Sequence, residues 1–305
     1  MPMTNFNALS RRTVLTGAAV CFLGVSPQTS LVADDKSPSR QIAPLDLLVI
    51  APHSDDEAIG CAGVILQAIE LRKRVGVVVV TAGDGFPKAA AAVAKKKPEE
   101  LTPADFIQVA ELRQRHSIRG MSRIGVATND LMFLGYPDSG LADMYQAAGD
   151  TTYRQRYTQK SATYGVVTPD YHSIVHGRAA SYLKTSVIAD LAEIITARKP
   201  KEIYVTNEAD SHSDHQATFW FVRDAAQAAG YQGELLTYIV HGSQPPQPPT
   251  RRVPLSETHQ RAKRALLEEY QVGLTPVHDE LAEKFTKPEE LFWAVNTRSL
   301  INSGT

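Results

Sequence analysis

Cysteine is scarce in this chain of 305 residues, which contains only Cys21 and Cys61. Cys21 lies in an N-terminal segment that we interpret below as an export signal, so the mature chain would keep one thiol and no internal disulfide. Long apolar runs are also absent, because no internal run reaches the roughly 20 residues of a membrane-spanning helix. The formal net charge is only −1. These features exclude a disulfide-stabilised scaffold, an integral membrane protein and a general polyanion binder.

The first 33 residues have the features of a targeting segment. Arg11 and Arg12 precede a short apolar run, Val14 to Val25, which is rich in glycine and alanine and is followed by a polar stretch. This order is typical of a twin-arginine export signal. We therefore predict a periplasmic or secreted protein with no stable membrane insertion after the signal is removed.

The domain organisation follows from the composition after residue 33. Residues 34–44 are polar and contain proline, which is typical of a linker. We predict one folded domain over residues 45–300, with a helical C-terminal extension from about residue 250. Residues 86–103 have the pattern of a mobile insertion, and residues 141–180 are irregular and rich in tyrosine.

Short apolar runs alternate with segments of helical periodicity. We predict strands at residues 47–51, 75–81, 131–134, 202–206 and 234–240, and helices at residues 58–74, 104–123, 183–198, 216–229, 256–270 and 285–295. Strands that alternate with helices indicate βαβ units and a parallel sheet. The predicted fold class is therefore α/β, a Rossmann-like, mostly parallel sheet with helices on both faces.

Histidine and carboxylate side chains are concentrated in two turns that each follow a predicted strand. The first turn is His53-Ser-Asp-Asp-Glu57 and the second is His212-Ser-Asp-His215. The carboxyl ends of parallel strands lie at one edge of a sheet, so the two turns can converge. Two histidines and one carboxylate, with one position left open, are the ligands of a hydrolytic zinc site. We predict that His53, Asp56 and His215 bind Zn²⁺.

The other residues of the two turns can then have catalytic roles. Asp55 is next to a predicted ligand and could accept a proton from water. His212 could stabilise an oxyanion or protonate a leaving amine, and Asp214 could hold a histidine by its far ring nitrogen. Each turn alone is equally compatible with ordinary histidines and helix-capping aspartates. Two such turns, both between a strand and a helix, favour the metal site.

The two turns resemble signatures of the PIG-L/LmbE-like family of zinc-dependent N-deacetylases. That family has His-Pro-Asp-Asp-Glu after its first strand and His-Pro-Asp-His late in its fold, whereas Ser54 and Ser213 replace both prolines here. The segment Gly135 to Gly140 also matches the family, as do residues 259–270. The resemblance runs from about residue 45 to 240 and implies the same zinc ligands, with Asp55 as the general base and His212 at the tetrahedral intermediate.

The family resemblance extends to the substrate pocket. Arg113 matches the arginine of an Arg-x-x-Glu pattern, although His116 stands where the glutamate is usual. We expect Arg113 and Asp138 to bind substrate. The alternatives are that Arg113 is a solvated helix charge and that Asp138 is a structural turn residue. His172 and His176 either line the pocket or are surface histidines.

The expected function is an exported zinc-dependent hydrolase that removes an N-acetyl or N-acyl group from an amino sugar or glycoconjugate. Its partner would be a small-molecule or glycan substrate, and we expect no nucleic acid. One alternative is hydrolysis of a different, non-sugar amide. Another is metal-dependent glycan binding without turnover. Nucleotide binding is disfavoured, because no Gly-x-Gly-x-x-Gly follows the first strand.

Overall fold

The computed structural model of the chain describes residues 43–242, 245 and 247–297. The predicted export signal, residues 1–33, and all but the last two residues of the predicted linker lie outside this part of the chain. Within the described residues, no helix combines the length and apolar character needed to cross a membrane.

The strands of the described chain form one seven-stranded sheet. They are β1 Leu47–Ala51, β2 Val75–Thr81, β3 Leu131–Tyr136, β4 Glu202–Thr206, β5 Glu234–Tyr238, β6 Arg251–Pro254 and β7 Glu289–Val295. Their order is β3-β2-β1-β4-β5-β7-β6. The pairs among β1 to β5 are parallel, whereas β7 is antiparallel to both β5 and β6. Every residue of β1 and β2 is buried, which explains their continuous runs of Leu, Ile and Val.

Helices cover both faces of the sheet. They are α1 Asp56–Glu70, α2 Pro87–Ala94, α3 Pro103–Arg123, α4 Leu141–Gln146, α5 Tyr171–His176, α6 Lys184–Arg198, α7 Ser213–Ala228, α8 Glu257–Gln271 and α9 Leu281–Phe285. On one face, Ile65 of α1, Met121 of α3 and Leu266 of α8 share a core, and on the other Leu191 of α6 packs with Phe221 of α7. This arrangement confirms the predicted α/β, Rossmann-like fold.

The prediction of a helix over residues 285–295 is wrong. Glu289–Val295 forms β7, in which Ala294 pairs with Leu236 of β5 and Leu291 pairs with Arg252 of β6. Over so short a run, apolar spacing does not distinguish a strand from a helix, and the open edge of β5 decides the outcome. The predicted helical extension from about residue 250 is therefore α8 and α9 together with two strands.

Two other predictions differ from the structure, one for the end of the first helix and one for residues 86–103. The first helix was predicted to end at residue 74 but ends at Glu70, so Arg72, Lys73 and Arg74 lie beyond it. Residues 86–103, predicted to be a mobile insertion, contain α2, whose buried alanines pack against Phe106 of α3. Lys96 forms an ion pair with Asp105 at 2.8 Å, which attaches the insertion to α3.

A buried ion pair connects the C-terminal elements to the middle of α1. Lys263 of α8 and Glu290 of β7 are 2% and 5% exposed, and their charged atoms lie 2.7 Å apart. Glu290 also accepts hydrogen bonds from the backbone N–H groups of Gly63 and Val64, and Lys263 donates to the carbonyl of Ile59. Because α1 begins in the first histidine-carboxylate turn, this pair fixes the element that carries the turn.

We predict that Lys263→Met strongly destabilises the fold. The substitution leaves the Glu290 carboxylate buried without a cation, which typically costs about 3–5 kcal/mol. Urea denaturation would measure this loss in the free energy of unfolding. The matched control is Arg264→Met on the same helix, where an exposed pair with Glu268 contributes about 0.5 kcal/mol or less. Equal losses in the two variants would contradict the importance of the buried pair.

Candidate metal and active site

The candidate site lies where the order of the strands reverses. β1 is flanked by β2 on one side and by β4 on the other, so the connections from β1 and β4 leave the sheet in opposite directions. A crevice forms at such a switch point, outside the carboxyl ends of the strands. The turn that starts at His53 follows β1 and the turn that ends at His215 follows β4. The topology therefore brings both turns to the same crevice.

The three predicted metal ligands meet in this crevice. Asp56 Oδ2 lies 3.1 Å from His53 Nδ1 and 3.2 Å from His215 Nε2. The three side chains are buried, and each offers a ligand atom within 4.8 Å of the others. One ion could contact all three, although their assignment as ligands stays a prediction.

The residues present fit a divalent metal ion. His215 Nε2 is fully buried and makes no hydrogen bond within the described chain, although it faces Asp56. A buried imidazole nitrogen without a hydrogen-bond partner is costly unless it binds something. Two imidazole nitrogens and one carboxylate oxygen form a donor set that suits zinc. The geometry therefore supports a metal site at His53, Asp56 and His215.

Asp210 holds the His215 ring in its orientation. Its Oδ2 lies 3.2 Å from His215 Nδ1 and accepts hydrogen bonds from the N–H groups of Val240 and His241. A carboxylate on the far nitrogen of a ligand histidine fixes the tautomer and directs the other nitrogen to the metal. This role was not predicted from the sequence. A carboxylate five residues before His215, in the same loop after a strand, could have indicated it.

Asp214, which we predicted to be catalytic, supports the site from behind. It is fully buried, and its Oδ2 lies 3.2 Å from His53 Nε2, the ring nitrogen opposite the one that faces Asp56. Asp214 also accepts hydrogen bonds from the backbone N–H groups of Ser139 and Leu141. Because Asp214 does not line the cavity, its geometry is that of a positioning residue for His53.

Carboxylates control the charge of the two histidines that are predicted to bind the metal. Burial alone lowers the pKa of His53, but the carboxylates of Asp138, Asp214 and Asp56 outweigh burial and hold it well above its usual range. Burial also lowers the pKa of His215, and Asp56 with Asp210 raises it to about 9. The crevice therefore has an excess of negative charge and attracts cations, either protons or a metal ion.

Asp55 has strained backbone at the start of α1. Its φ of 135° is outside the region that non-glycine residues prefer, which typically costs on the order of 1–3 kcal/mol. Glu57 stabilises this conformation, because it accepts hydrogen bonds from the Asp55 N–H, from Ser117 of α3 and from Tyr270 of α8. Burial raises the pKa of Asp55 to about 6, against the opposing charge of Arg113. Asp55 lines the cavity, so a carboxyl group with a pKa near neutral would face a molecule bound there.

The tautomer of His212 follows from its position at the N-cap of α7. Its Nδ1 accepts a hydrogen bond from the Asp214 N–H at 3.2 Å, which leaves the proton on Nε2. Burial, together with His53 and His215, lowers the pKa of His212 to about 4. The ring is therefore a neutral hydrogen-bond donor at the cavity. Of the two predicted roles, this geometry favours oxyanion stabilisation over protonation of the leaving amine.

Arg113 is not a solvated helix charge. It is 5% exposed, and its Nη atoms lie 3.3 Å from Asp55 Oδ1 and 3.4 Å from Asp138 Oδ2. Asp138 Oδ1 lies 3.5 Å from His53 Nε2. Arg113 and Asp138 both line the cavity, and their contact with substrate stays a prediction. His116 is buried against the Tyr270 ring and does not line the cavity.

The cavity in front of these residues has a volume of about 500 Å³, and the C-terminal segment forms its far wall. The residues of this wall are Val277, His278, Glu280, Leu281, Lys284 and Phe285, with Phe86 beside them. His278 Nε2 lies 3.9 Å from Asp55 Oδ2, and His241 packs 4.9 Å from the His215 ring. Neither histidine was predicted from the sequence. Only His241 had a signal, because it follows the end of a predicted strand.

The fold and the site together define an α/β protein with a histidine-carboxylate centre at the switch point of a parallel sheet. The chain matches the family described as PIG-L, GlcNAc-PI de-N-acetylase, over residues 48–226, which is more than half of its length. The chain belongs to this family, as its sequence motifs predicted. Family membership supports a deacetylase of N-acetylated sugar compounds. A search of curated proteins gave no match.

Solved structures share this fold at low sequence identity. The conserved protein TT1542 from Thermus thermophilus is 21% identical, with 83% of this chain and 95% of that chain covered and a TM-score of 0.51. The hydratase GalB from Pseudomonas putida is 16% identical, with coverages of 83% and 96% and a TM-score of 0.52. A deacetylase solved with teicoplanin is 17% identical, with coverages of 81% and 96% and a TM-score of 0.52. Because one of these proteins is a hydratase, the fold alone does not determine the reaction.

We predict that His215→Ala removes one equivalent of bound Zn²⁺. The substitution deletes a buried ligand nitrogen and leaves only two of the three donors. Metal content after dialysis, measured by inductively coupled plasma mass spectrometry, would show the loss. The matched control is His241→Ala, because the His241 ring is 4.9 Å from the His215 ring but outside the ligand set. Full metal content in His215→Ala, or equal losses in both variants, would contradict the assignment.

Proposed function

We propose that the chain is an exported zinc-dependent hydrolase that removes an N-acetyl or N-acyl group from an amino sugar or glycoconjugate. The observation that carries the proposal is the position of Asp55, which faces the same cavity as His53 and Asp56, two of the three residues of the predicted ligand set. The third, His215, lies 3.2 Å from Asp56. Family membership supports deacetylation, and the first 33 residues support export.

His53, Asp56 and His215 would hold the zinc ion. When bound there, zinc would act as a Lewis acid that polarises an amide carbonyl and lowers the pKa of water from about 15.7 toward 7. Asp55 would remove a proton from the attacking water, because its carboxylate lines the cavity and burial raises its pKa to about 6. Arg113 would keep the Asp55 carboxylate in place through its contact at 3.3 Å.

His212 would stabilise the negative charge that develops on the carbonyl oxygen. The Asp214 N–H occupies His212 Nδ1, so the Nε2–H group is the one free to donate toward substrate in the cavity. Donors that are already oriented before the reaction stabilise an oxyanion without reorganisation. Asp55 would return the proton taken from water to the amine nitrogen as the tetrahedral intermediate collapses. The C–N bond would then break to give acetic acid, which ionises to acetate, and a free amine.

The walls of the cavity suit a sugar with one apolar face. Phe86 and the apolar residues Val277, Leu281 and Phe285 line the side contributed by the insertion and the C-terminal segment. Asp138, Arg113 and His241 also line the cavity, and the C-terminal segment contributes charged residues beside its apolar ones. A sugar ring has hydroxyl groups at its edge and C–H groups on its faces, so it can contact polar and apolar side chains at once. A cavity of about 500 Å³ is within the usual range of small-ligand sites.

Two alternatives use the same cavity. One is hydrolysis of a non-sugar amide, such as a lipid- or peptide-linked one, since the chemistry at the metal would be the same. The other is metal-dependent glycan binding without turnover. The strained, buried Asp55 argues against the binder, because binding alone does not need a base.

We predict that Asp55→Asn retains zinc but releases acetate about 10²- to 10⁴-fold more slowly, because the general base is lost. Acetate release would be measured with N-acetylglucosamine compounds, from monosaccharide to oligomers and cell-wall fragments. The control is Asp143→Asn, an exposed acid on α4 outside the cavity. Undiminished turnover in Asp55→Asn would remove Asp55 as the base. No release from any compound by zinc-loaded protein would favour a different amide or a binding role.

We predict that Phe285→Ala raises KM about 5- to 10-fold and leaves kcat nearly unchanged. The substitution shortens the apolar wall without touching the reacting groups, so it should remove binding that is equal in the ground and transition states. Steady-state kinetics on the best substrate of the panel would test this. Leu71→Ala is the control, because Leu71 is 70% exposed and lies outside the cavity. A fall in kcat with KM unchanged would contradict a role in the wall.

A further inference from the structure

A second cluster of histidines and carboxylates lies between α5 and α6, outside the cavity. His172 and His176 are four residues apart on α5, so they share one face of the helix. Their ring centroids are 4.3 Å apart. Each ring faces a carboxylate of α6, with His172 Nδ1 2.7 Å from Asp190 Oδ1 and His176 Nε2 2.9 Å from Glu193 Oε2.

We propose that His172, His176 and Asp190 form a second metal site that takes Zn²⁺ or a similar divalent transition ion. Each of the three side chains offers a ligand atom within 4.8 Å of the others. None of them lines the cavity or belongs to the first ligand set. Two imidazoles and a carboxylate match the donors that zinc prefers, and Glu193 or a water could complete four-fold coordination.

The environment of Asp190 supports this site independently. Asp190 is 1% exposed, and its only ion-pair partner among the described residues is His172. Its Oδ2 accepts a hydrogen bond from the Tyr136 hydroxyl at 2.7 Å, which leaves Oδ1 directed at His172. A buried carboxylate without an Arg or Lys partner is costly. A divalent ion held with the two imidazoles would offset that cost.

An ion can reach this site from solvent. The His172 side chain is 16% exposed and the His176 side chain 37% exposed, although Asp190 is buried beneath them. The site is therefore open on one side and anchored on the other. This arrangement suits an ion that binds after the helices have formed and joins α5 to α6.

A metal at this site would stabilise the fold and would take no part in the reaction. The irregular segment 147–170 leads into α5 and contacts the cavity residue Asp138. Gln155 donates to the Asp138 carbonyl, and Tyr164 donates to the Asp84 carboxylate, which accepts a hydrogen bond from the Asp138 N–H. Tyr136 links Asp190 to the end of β3, two residues before Asp138. A metal that joins α5 to α6 would hold this segment in place and stabilise the folded state by mass action.

The competing arrangement is a pair of metal-free ion pairs, His172 with Asp190 and His176 with Glu193. The variant that separates the two arrangements is His172→Gln/His176→Gln. Glutamine can still donate a hydrogen bond to a carboxylate, so the helices stay connected, but it is a poor zinc ligand. His259→Gln is the control, because His259 contacts Glu70 at 3.0 Å and belongs to neither cluster.

The experiment is a Zn²⁺ titration of the full-length chain by isothermal calorimetry, with metal content measured after dialysis. We expect two equivalents for the wild-type and His259→Gln proteins, and one equivalent for His172→Gln/His176→Gln. We also expect one equivalent for His215→Ala. The variant that combines His215→Ala with His172→Gln and His176→Gln should bind none at either site. Zn²⁺ should raise the Tm of His215→Ala but have little effect once the α5 histidines are also replaced.

Two results would overturn the second site. One is a single equivalent in the wild-type protein that His215→Ala abolishes, which would leave the α5 and α6 contacts as ion pairs only. The other is an unchanged second equivalent in His172→Gln/His176→Gln, which would place that ion elsewhere. The two readouts are Zn²⁺ binding and Tm, so the test does not depend on the proposed deacetylation.

Discussion

The site depends on one carboxylate oxygen placed between two imidazole rings. Asp56 Oδ2 lies within about 3.2 Å of ring nitrogens from His53 and His215, which arrive from different strands. Buried carboxylates and imidazoles at this distance are stable only if cations offset their charge. Protons on the two histidines can offset the negative charge, and a bound metal ion would offset it in their place. The folded structure therefore maintains a site whose electrostatics favour cation binding.

Other parts of the structure hold this arrangement in position. Asp210 contacts His215, and Asp214 contacts His53, at the ring nitrogen that does not face Asp56. Glu57 holds the strained turn at Asp55 and is itself held by α3 and α8. The buried pair of Lys263 and Glu290 ties α8 and β7 to α1. The C-terminal elements thus act twice, because they support the first turn and also form the far wall of the cavity.

Much of the fold could be predicted because the parallel strands are buried on both faces. The prediction of β2 and β4 agrees with the structure at both ends, since continuous apolar runs with clear breakers leave little choice. The prediction failed at β7, where aromatic and apolar residues in a short run fit two periodicities. Residues 289–295 form a strand because they pair with the otherwise unpaired edge of β5, and that edge exists only in the assembled sheet.

The sequence by itself determined which imidazoles and carboxylates are available at the candidate site. The two turns identify His53, Asp55, Asp56, His212 and His215 as candidate site residues, because imidazoles and carboxylates next to core strands have few structural explanations. Only the tertiary structure decided which groups support them. Arg113, Asp210 and His278 lie outside the two turns, whereas Glu57 belongs to the first turn but is held by α3 and α8. Their contacts depend on distances of a few ångströms between elements, which sequence spacing does not encode. Local sequence specifies which donors are available, and packing specifies which of them face each other.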